Sequence, residues 1–219
     1  MIQAQVKVDD DGKAFSGVAD HQSWTKATSD LQAAINNLSD AGGGTIWIAE
    51  GTYIPTELYS AAEGSSTTDP RSATFVIRSN VTVIGGFEGD ENSPEERPED
   101  KFSSTNTVIL SGNIDLSDSN GGNSYHVVNF PAGVDETAKI QDVYITNGNA
   151  NGPKAHFATR GGGVHARVGG VLKNCIIANN FAETGGGGVY LYKGGRMEDC
   201  AIYDNITNQY GGGVELNLG

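Results

Sequence analysis

Apolar positions along this chain follow two rhythms, and the change from one to the other separates a helix from a long series of strands. Over residues 29–41, Leu31, Ala34, Ile35 and Leu38 fall on one face at helical spacing, and Gly42 to Gly44 end the run. Ser29 followed by Gln32 reads as a capping box at the start of that helix. Beyond it come short β-rich runs at 45–48, 75–77, 81–84, 108–110, 125–130 and 140–145, each bounded by Gly, Asn, Asp, Ser or Pro. Such runs predict alternating strand and turn, with the polar stretches 55–73, 86–106 and 112–123 as insertions between them.

The last third of the chain repeats with a period of 25 residues. Val164, Val189 and Val214 each follow a run of glycines, and Cys175 with Cys200, Gly169–Gly170 with Gly194–Gly195, and Asn180 with Asn205 keep the same interval. Aligned on the second strand, 140–145 corresponds to 172–177 and to 197–202, so the first interval is 32 and its excess falls around Asn151 to Arg160. Each copy holds two strand segments separated by glycines and closed by asparagine, which describes one coil of a parallel β-helix whose strands pair with their copies above and below. The predicted organisation is an N-terminal extension over 1–28, a capping helix and turn over 29–44, and about seven coils over 45–219. The helix is expected to cover the open first coil. Asn147, Asn179 and Asp204, with Asn180 and Asn205 beside them, are expected to form a column at one turn. The sequence stops at Gly219 after the first strand of another copy, so a continuation of the chain or a partner chain is expected to cap the stack end.

Composition refines this picture. The 31 glycines cluster at repeat corners while 37% of residues stay apolar, which suits repeated turns better than disorder. A net charge of −13 argues against nucleic acid or an anionic membrane surface as partner, because phosphate binding needs clustered cations. No apolar run is long enough to span a bilayer. Met1 to Gln5 could be the stump of a cleaved export signal, although an ordinary chain start reads the same way. Cys175 and Cys200 occupy the same place in successive copies and read as buried, reduced thiols. The acidic run of Glu88, Asp90, Glu91, Glu95, Glu96, Glu99 and Asp100 reads as a solvated loop, with calcium binding as the minor alternative because no ligand spacing is evident. Asp9 to Gly12 is a weaker candidate still, since a calcium loop's distal glutamate is missing. No other cofactor or metal is indicated.

The motifs at Ser23-Trp24, Asp30 to Ile35, Gly51-Thr52-Tyr53, Gly85-Gly86-Phe87, Val108 to Gly112, Ser124 to Val128 and Ile145 to Ala150 resemble the pectate-lyase-like β-helix superfamily. More narrowly, they are similar to bacterial surface and secreted proteins with polymorphic-outer-membrane-protein-type repeats. The resemblance covers residues 23–219. It implies an all-β, right-handed parallel β-helix (solenoid) with an N-terminal capping α-helix, and an extracellular or outer-cell-surface location. It carries over no catalytic motif, and fold alone does not give function.

Candidate chemistry follows from strand alternation. With Val164, Val189 and Val214 inward, His165, Tyr190 and Glu215 point outward, as do Arg167, Tyr192 and Asn217. Tyrosine faces flanked by His, Arg and Glu are the ingredients of a sugar site, whereas an ordinary exposed sheet face carries aromatics too. Lys154, His156, Arg160, His165 and Arg167 concentrate positive charge, and a uronate lyase acting there could use Tyr190 or His165 as base. Asp142 and Asp199, two coils apart at roughly 9.6 Å, lie just beyond inverting-hydrolase spacing, and Asn174 between them favours a structural column. The chemically mixed outward rows exclude an ice-binding face. The function expected is therefore a secreted or surface module that recognises carbohydrate or another surface protein. The alternative is a polysaccharide lyase or glycoside hydrolase acting from the 154–217 face.

Overall fold

A computed structural model describes residues 4–8, 24, 27–60, 67–117, 119–154 and 157–219. The described residues wind into five stacked coils. The first coil holds β2 (Gly44–Ala49), β3 (Gly51–Tyr53) and β4 (Phe75–Val76), and the second holds β5 (Val81–Phe87), β6 (Val108–Ser111) and β7 (Val128–Phe130). The third comprises β8 (Lys139–Gln141), β9 (Tyr144–Thr146), β10 (Asn149–Ala150) and β11 (Val164–Ala166). The fourth comprises β12 (Val171–Lys173), β13 (Ile176–Ala178), β14 (Phe181–Ala182) and β15 (Val189–Tyr192), and the fifth β16 (Arg196–Glu198), β17 (Ala201–Tyr203), β18 (Ile206–Thr207) and β19 (Val214–Asn217). Ahead of them stand β1 (Ala4–Val8), which pairs with β2, and helix α1 (Leu31–Asp40).

Like sides of successive coils pair in parallel to give four sheets, ordered β1-β2-β5-β8-β12-β16, β3-β6-β9-β13-β17, β10-β14-β18 and β4-β7-β11-β15-β19. This is a parallel β-helix solenoid with one helix near its start. The coils number five rather than about seven because the insertions in the first two coils consume residues without adding rows to the stack. Residues 4–8, placed by sequence in an extension, supply an extra row to the first sheet.

Two columns of left-handed residues make the corners. Asp142, Asn174 and Asp199 have φ of 58°, 46° and 53°, and they split each 140–145-type segment, read from sequence as one strand, into two. Asn147, Asn179 and Asp204, with φ of 62°, 58° and 51°, make the next corner. Short polar side chains tolerate this conformation where branched ones do not. Beside that corner runs an amide ladder: Gly148 N–H donates to Asn180 Oδ1 at 2.8 Å, and Asn180 N–H donates to Asn205 Oδ1 at 3.0 Å. Three residues before each valine of the row stand Gly161, Gly186 and Gly211, at φ of 68°, 57° and 56°, a turn that a side chain would strain.

Inside the stack, register aligns Ile46, Val83, Ile140, Leu172 and Met197 in one row. Burying each such side chain is worth about 1.5–3 kcal/mol. The inward Met197, Cys200, Ile202 and Val214 of the fifth coil are only partly buried. Cys175 and Cys200 are both free thiols.

Helix α1 closes the other end. Its buried Leu31, Ala34, Ile35 and Leu38 join the core. The capping box expected from Ser29 and Gln32 does not form. Asp30 is the N-cap, its Oδ1 accepting from Ala33 N–H at 2.9 Å, and Gln32 turns inward instead. There the Gln32 amide accepts from Val76 N–H at 2.8 Å and donates to Val76 O at 3.2 Å. The side chain thus imitates a further strand and saturates the edge at β4. Among the described residues no helix is long and apolar enough to cross a membrane.

Candidate functional site

The outward column predicted from alternation exists as a row but not as a surface. Register places His165, Tyr190 and Glu215 in one line and Tyr192 over Asn217, and the line continues back through Asn129. His165 and Tyr190, expected to be exposed, are each only 1% accessible. The cover is the excess length of the 32-residue interval. Phe157 lies with its ring 6.2 Å from His165 and 6.4 Å from Tyr192, and the Arg167 guanidinium sits 5.3 Å from the Phe157 centroid. Arg160 sits over Tyr190 at 5.4 Å and pairs with Glu215 at 3.3 Å. Arg167, Tyr192, Glu215 and Asn217 remain half-buried around this lid.

Below the lid lies His126, a neighbour that carried no repeat signal because it belongs to the irregular second coil. Its ring is 4.8 Å from that of His165, and its Nδ1 meets Gly161 O at 2.9 Å. Burial pushes His126 down to about 4, and burial together with His126, Arg167 and Arg160 holds His165 well below the usual imidazole range. Burial likewise raises the Tyr190 phenol. A general base must reach its proton, and neither proposed base, His165 or Tyr190, is accessible to a substrate. Lys154 is exposed, whereas His156 and the acidic start at 9–12 lie outside the described residues.

Of the two carboxylates, Asp142 is committed to structure, while Asp199 stands exposed at the equivalent corner of the fifth coil. Asp142 accepts from Arg97 Nη1 at 2.7 Å and from Asn174 Nδ2 at 2.6 Å, and Arg97 further donates to Gly85 O. That clamp pins the acidic insertion to the coils, with the guanidinium 4.9 Å from the Phe87 centroid. Glu91, read from sequence as solvated, is buried and accepts from the backbone N–H groups of Glu88, Gly89 and Asp90. Among the described residues no group of three or more His, Cys, Asp or Glu could hold a metal ion.

An open groove lies instead on the short third sheet. Register stacks Asn149, Phe181 and Ile206 in one outward column. The corner residues Asn179 and Asp204 flank it, Asn180 lies beside Phe181, and Asn120 and Asn151 rise from insertions to complete a groove of about 410 Å³. Arg71 holds this frame: it donates to Asn123 O at 2.7 Å, Asn149 O at 2.8 Å and Asn151 Oδ1 at 2.7 Å, and stacks 4.3 Å from the Tyr125 centroid. Asn149 Nδ2 donates to Asn120 O at 2.6 Å, tying the two walls together. At the corner, Asn179 Nδ2 donates to the Tyr144 hydroxyl at 3.2 Å. Burial, then the hydrogen bond with Tyr203, raises that phenol, so it stays a neutral hydroxyl.

Part of this groove had a sequence signal. Phe181 and Ile206 stand 25 apart and belong to one column, while Asn120 and Asn151 lie in insertions that no period relates to them. Fold and groove together define a parallel β-helix with a lateral, amide-lined cleft. No family model, curated protein or solved structure matches the chain.

Proposed function

We propose that this protein is a carbohydrate-recognition module of a secreted or cell-surface protein, and that the lateral groove is its binding site. The observation that carries the reading is the combination of Phe181 and Ile206 on the floor with five asparagines and Asp204 around them. A sugar ring presents C–H faces that pack on apolar side chains and hydroxyls that both donate and accept. Asparagine amides offer donors and acceptors side by side, and a few placed polar groups around an apolar floor are the usual make-up of a ligand cleft. The kinship with pectate-lyase-like surface proteins, drawn from the sequence motifs, is part of the same proposal.

Recognition fits this groove better than hydrolysis. Glycoside hydrolysis ordinarily uses two carboxyl groups flanking the bond, and Asp204 is the single carboxylate among the described lining residues. The test is retention on a panel of immobilised polysaccharides, with and without calcium, comparing the wild type with Phe181→Ala. Retention that falls about tenfold in the variant supports the site. Retention of none of the polysaccharides, or release of new reducing ends or unsaturated products, overturns the reading.

A further inference from the structure

We propose that the groove selects uncharged glycans and rejects uronate and sulfated chains, with Asp204 as the specificity-determining residue. This rests on the reading of the groove as a sugar site and names the class of sugar it takes.

The first argument is the charge of the lining. Asp204 is the only ionisable residue among the described lining residues, and the other polar ones are asparagines. Among the described residues no lysine, arginine or histidine lines the groove to receive a carboxylate or sulfate. The guanidinium that braces the frame, that of Arg71, commits Nε to Asn123 O and Nη2 to Asn149 O and Asn151 Oδ1, and it packs on the face of Tyr125. Recognition of anionic sugars works through charge-assisted bonds from such groups, and an unanswered anion beside a carboxylate meets repulsion instead. Hydroxyl groups have the opposite preference, because a carboxylate accepts from them strongly. The second argument is the field of the whole molecule: 27 acidic against 14 basic residues repel a polyanion before contact and leave a neutral chain unaffected.

The repeat itself supplies a conservative variant. Asp204 occupies a left-handed corner at φ 51°, and the same corner in the two preceding coils is held by Asn179 and Asn147 at φ 58° and 62°. Asp204→Asn therefore installs the residue that this backbone already accommodates twice. It removes the charge and leaves the shape of the groove unchanged. Asn179→Asp makes the converse change one coil away.

The experiment is retention on matched neutral, uronic and sulfated polysaccharides at low salt. EDTA is present throughout, so that no divalent cation bridges Asp204 to a uronate. Circular dichroism checks the fold of each variant. Wild type is expected to retain neutral chains at least tenfold better than anionic ones, Asp204→Asn to narrow that ratio severalfold, and Asn179→Asp to widen it. Added salt should narrow the wild-type ratio, because screening weakens repulsion. Wild-type retention of uronates or sulfated chains equal to that of neutral ones would overturn the selectivity while leaving the sugar site standing. A ratio unmoved by Asp204→Asn would overturn the role of that residue. Retention of no chain at all would remove the binding site itself, and this inference with it.

Discussion

Two outward columns of the same solenoid meet opposite fates. On the β4-β7-β11-β15-β19 sheet, His165 and Tyr190 point away from the core and are nevertheless sealed beneath Phe157 and Arg160. On the β10-β14-β18 sheet, Phe181 and Ile206 point away from the core, and the groove framed by Asn120 and Asn151 leaves them open to a ligand. Both columns obey the 25-residue period and both adjoin insertions. The period therefore fixes which way a side chain points, while the non-repeating segments decide whether it becomes a second core or the floor of an open groove. An aromatic column on a β-helix can be read as a site only once the path of its insertions is known.

The comparison breaks most sharply at Tyr190. If the covered column is a satellite core, Tyr190→Ala removes a buried ring and should cost about 3–5 kcal/mol of unfolding free energy. It should leave glycan retention by the folded protein unchanged. Urea denaturation followed by circular dichroism measures the first quantity, and retention at a temperature where the variant is folded measures the second. A loss under about 1 kcal/mol would mean that the lid does not seal the column in solution.

Acid should act beneath the same lid with the next largest effect, through the His126 imidazole that packs on His165. The folded protein keeps His126 neutral down to about 4, against an ordinary value of 6.5. Above pH 6.5 neither state gains a proton, so the full stability is present. As pH falls below that value the unfolded chain takes up a proton that the folded chain refuses. Stability therefore declines between pH 6.5 and about 4, and this contribution levels off below. The shift amounts to about 3 kcal/mol from His126. Carboxylates titrate in the same window, so the informative quantity is the difference from His126→Gln, whose urea midpoint should fall less between pH 7 and pH 4.5. Equal slopes for the two proteins would show that the imidazole is not sealed.

Asn180 sharpens the comparison from the groove side. It lines the groove, yet its amide is committed to the ladder: Nδ2 donates to Ile145 O at 3.1 Å and to Ala178 O at 3.0 Å while Oδ1 accepts from Gly148 N–H. Asn180→Ala strands buried backbone groups and should destabilise by about 2 kcal/mol. The equivalent Asn205 is more exposed, and Asn205→Ala should cost less. If Asn180→Ala instead spares stability and lowers retention, its amide faces the ligand and the ladder is dispensable.

What the sequence disclosed follows the same division. The repeat made the stacking, the valine rows and the amide ladder legible, because each depends on positions 25 apart; Phe181 and Ile206 keep that spacing too but were not read as a column. The capping helix was legible from its apolar face, but its cap was not. Ser29, Asp30 and Gln32 all carry capping chemistry, and Gln32 was claimed by the Val76 edge, a contact 44 positions away. The strand at 4–8 and the coil number were obscured for a related reason: the first two coils share the architecture without the period. Asn120, Asn151, Phe157 and His126 all belong to such irregular stretches, so the groove walls, the lid and the second imidazole had no columnar signature.

Phe181 gives the smallest effect on stability and the clearest separation of the two columns. Its side chain is half-buried against neighbours in the adjoining coils, so Phe181→Ala should shift unfolding free energy by about 1 kcal/mol or less, well under the cost of Tyr190→Ala. If a sugar ring packs on its face, the same change should lower retention about tenfold, the equivalent of 1.4 kcal/mol of binding. Phe181→Tyr keeps the ring and should restore most of that retention. Under the proposed contrast, stability and binding thus move in opposite order at Tyr190 and Phe181. A Phe181→Ala protein that unfolds as readily as Tyr190→Ala yet retains glycan as wild type does would place both rings in the same structural role and leave the groove without a floor for binding.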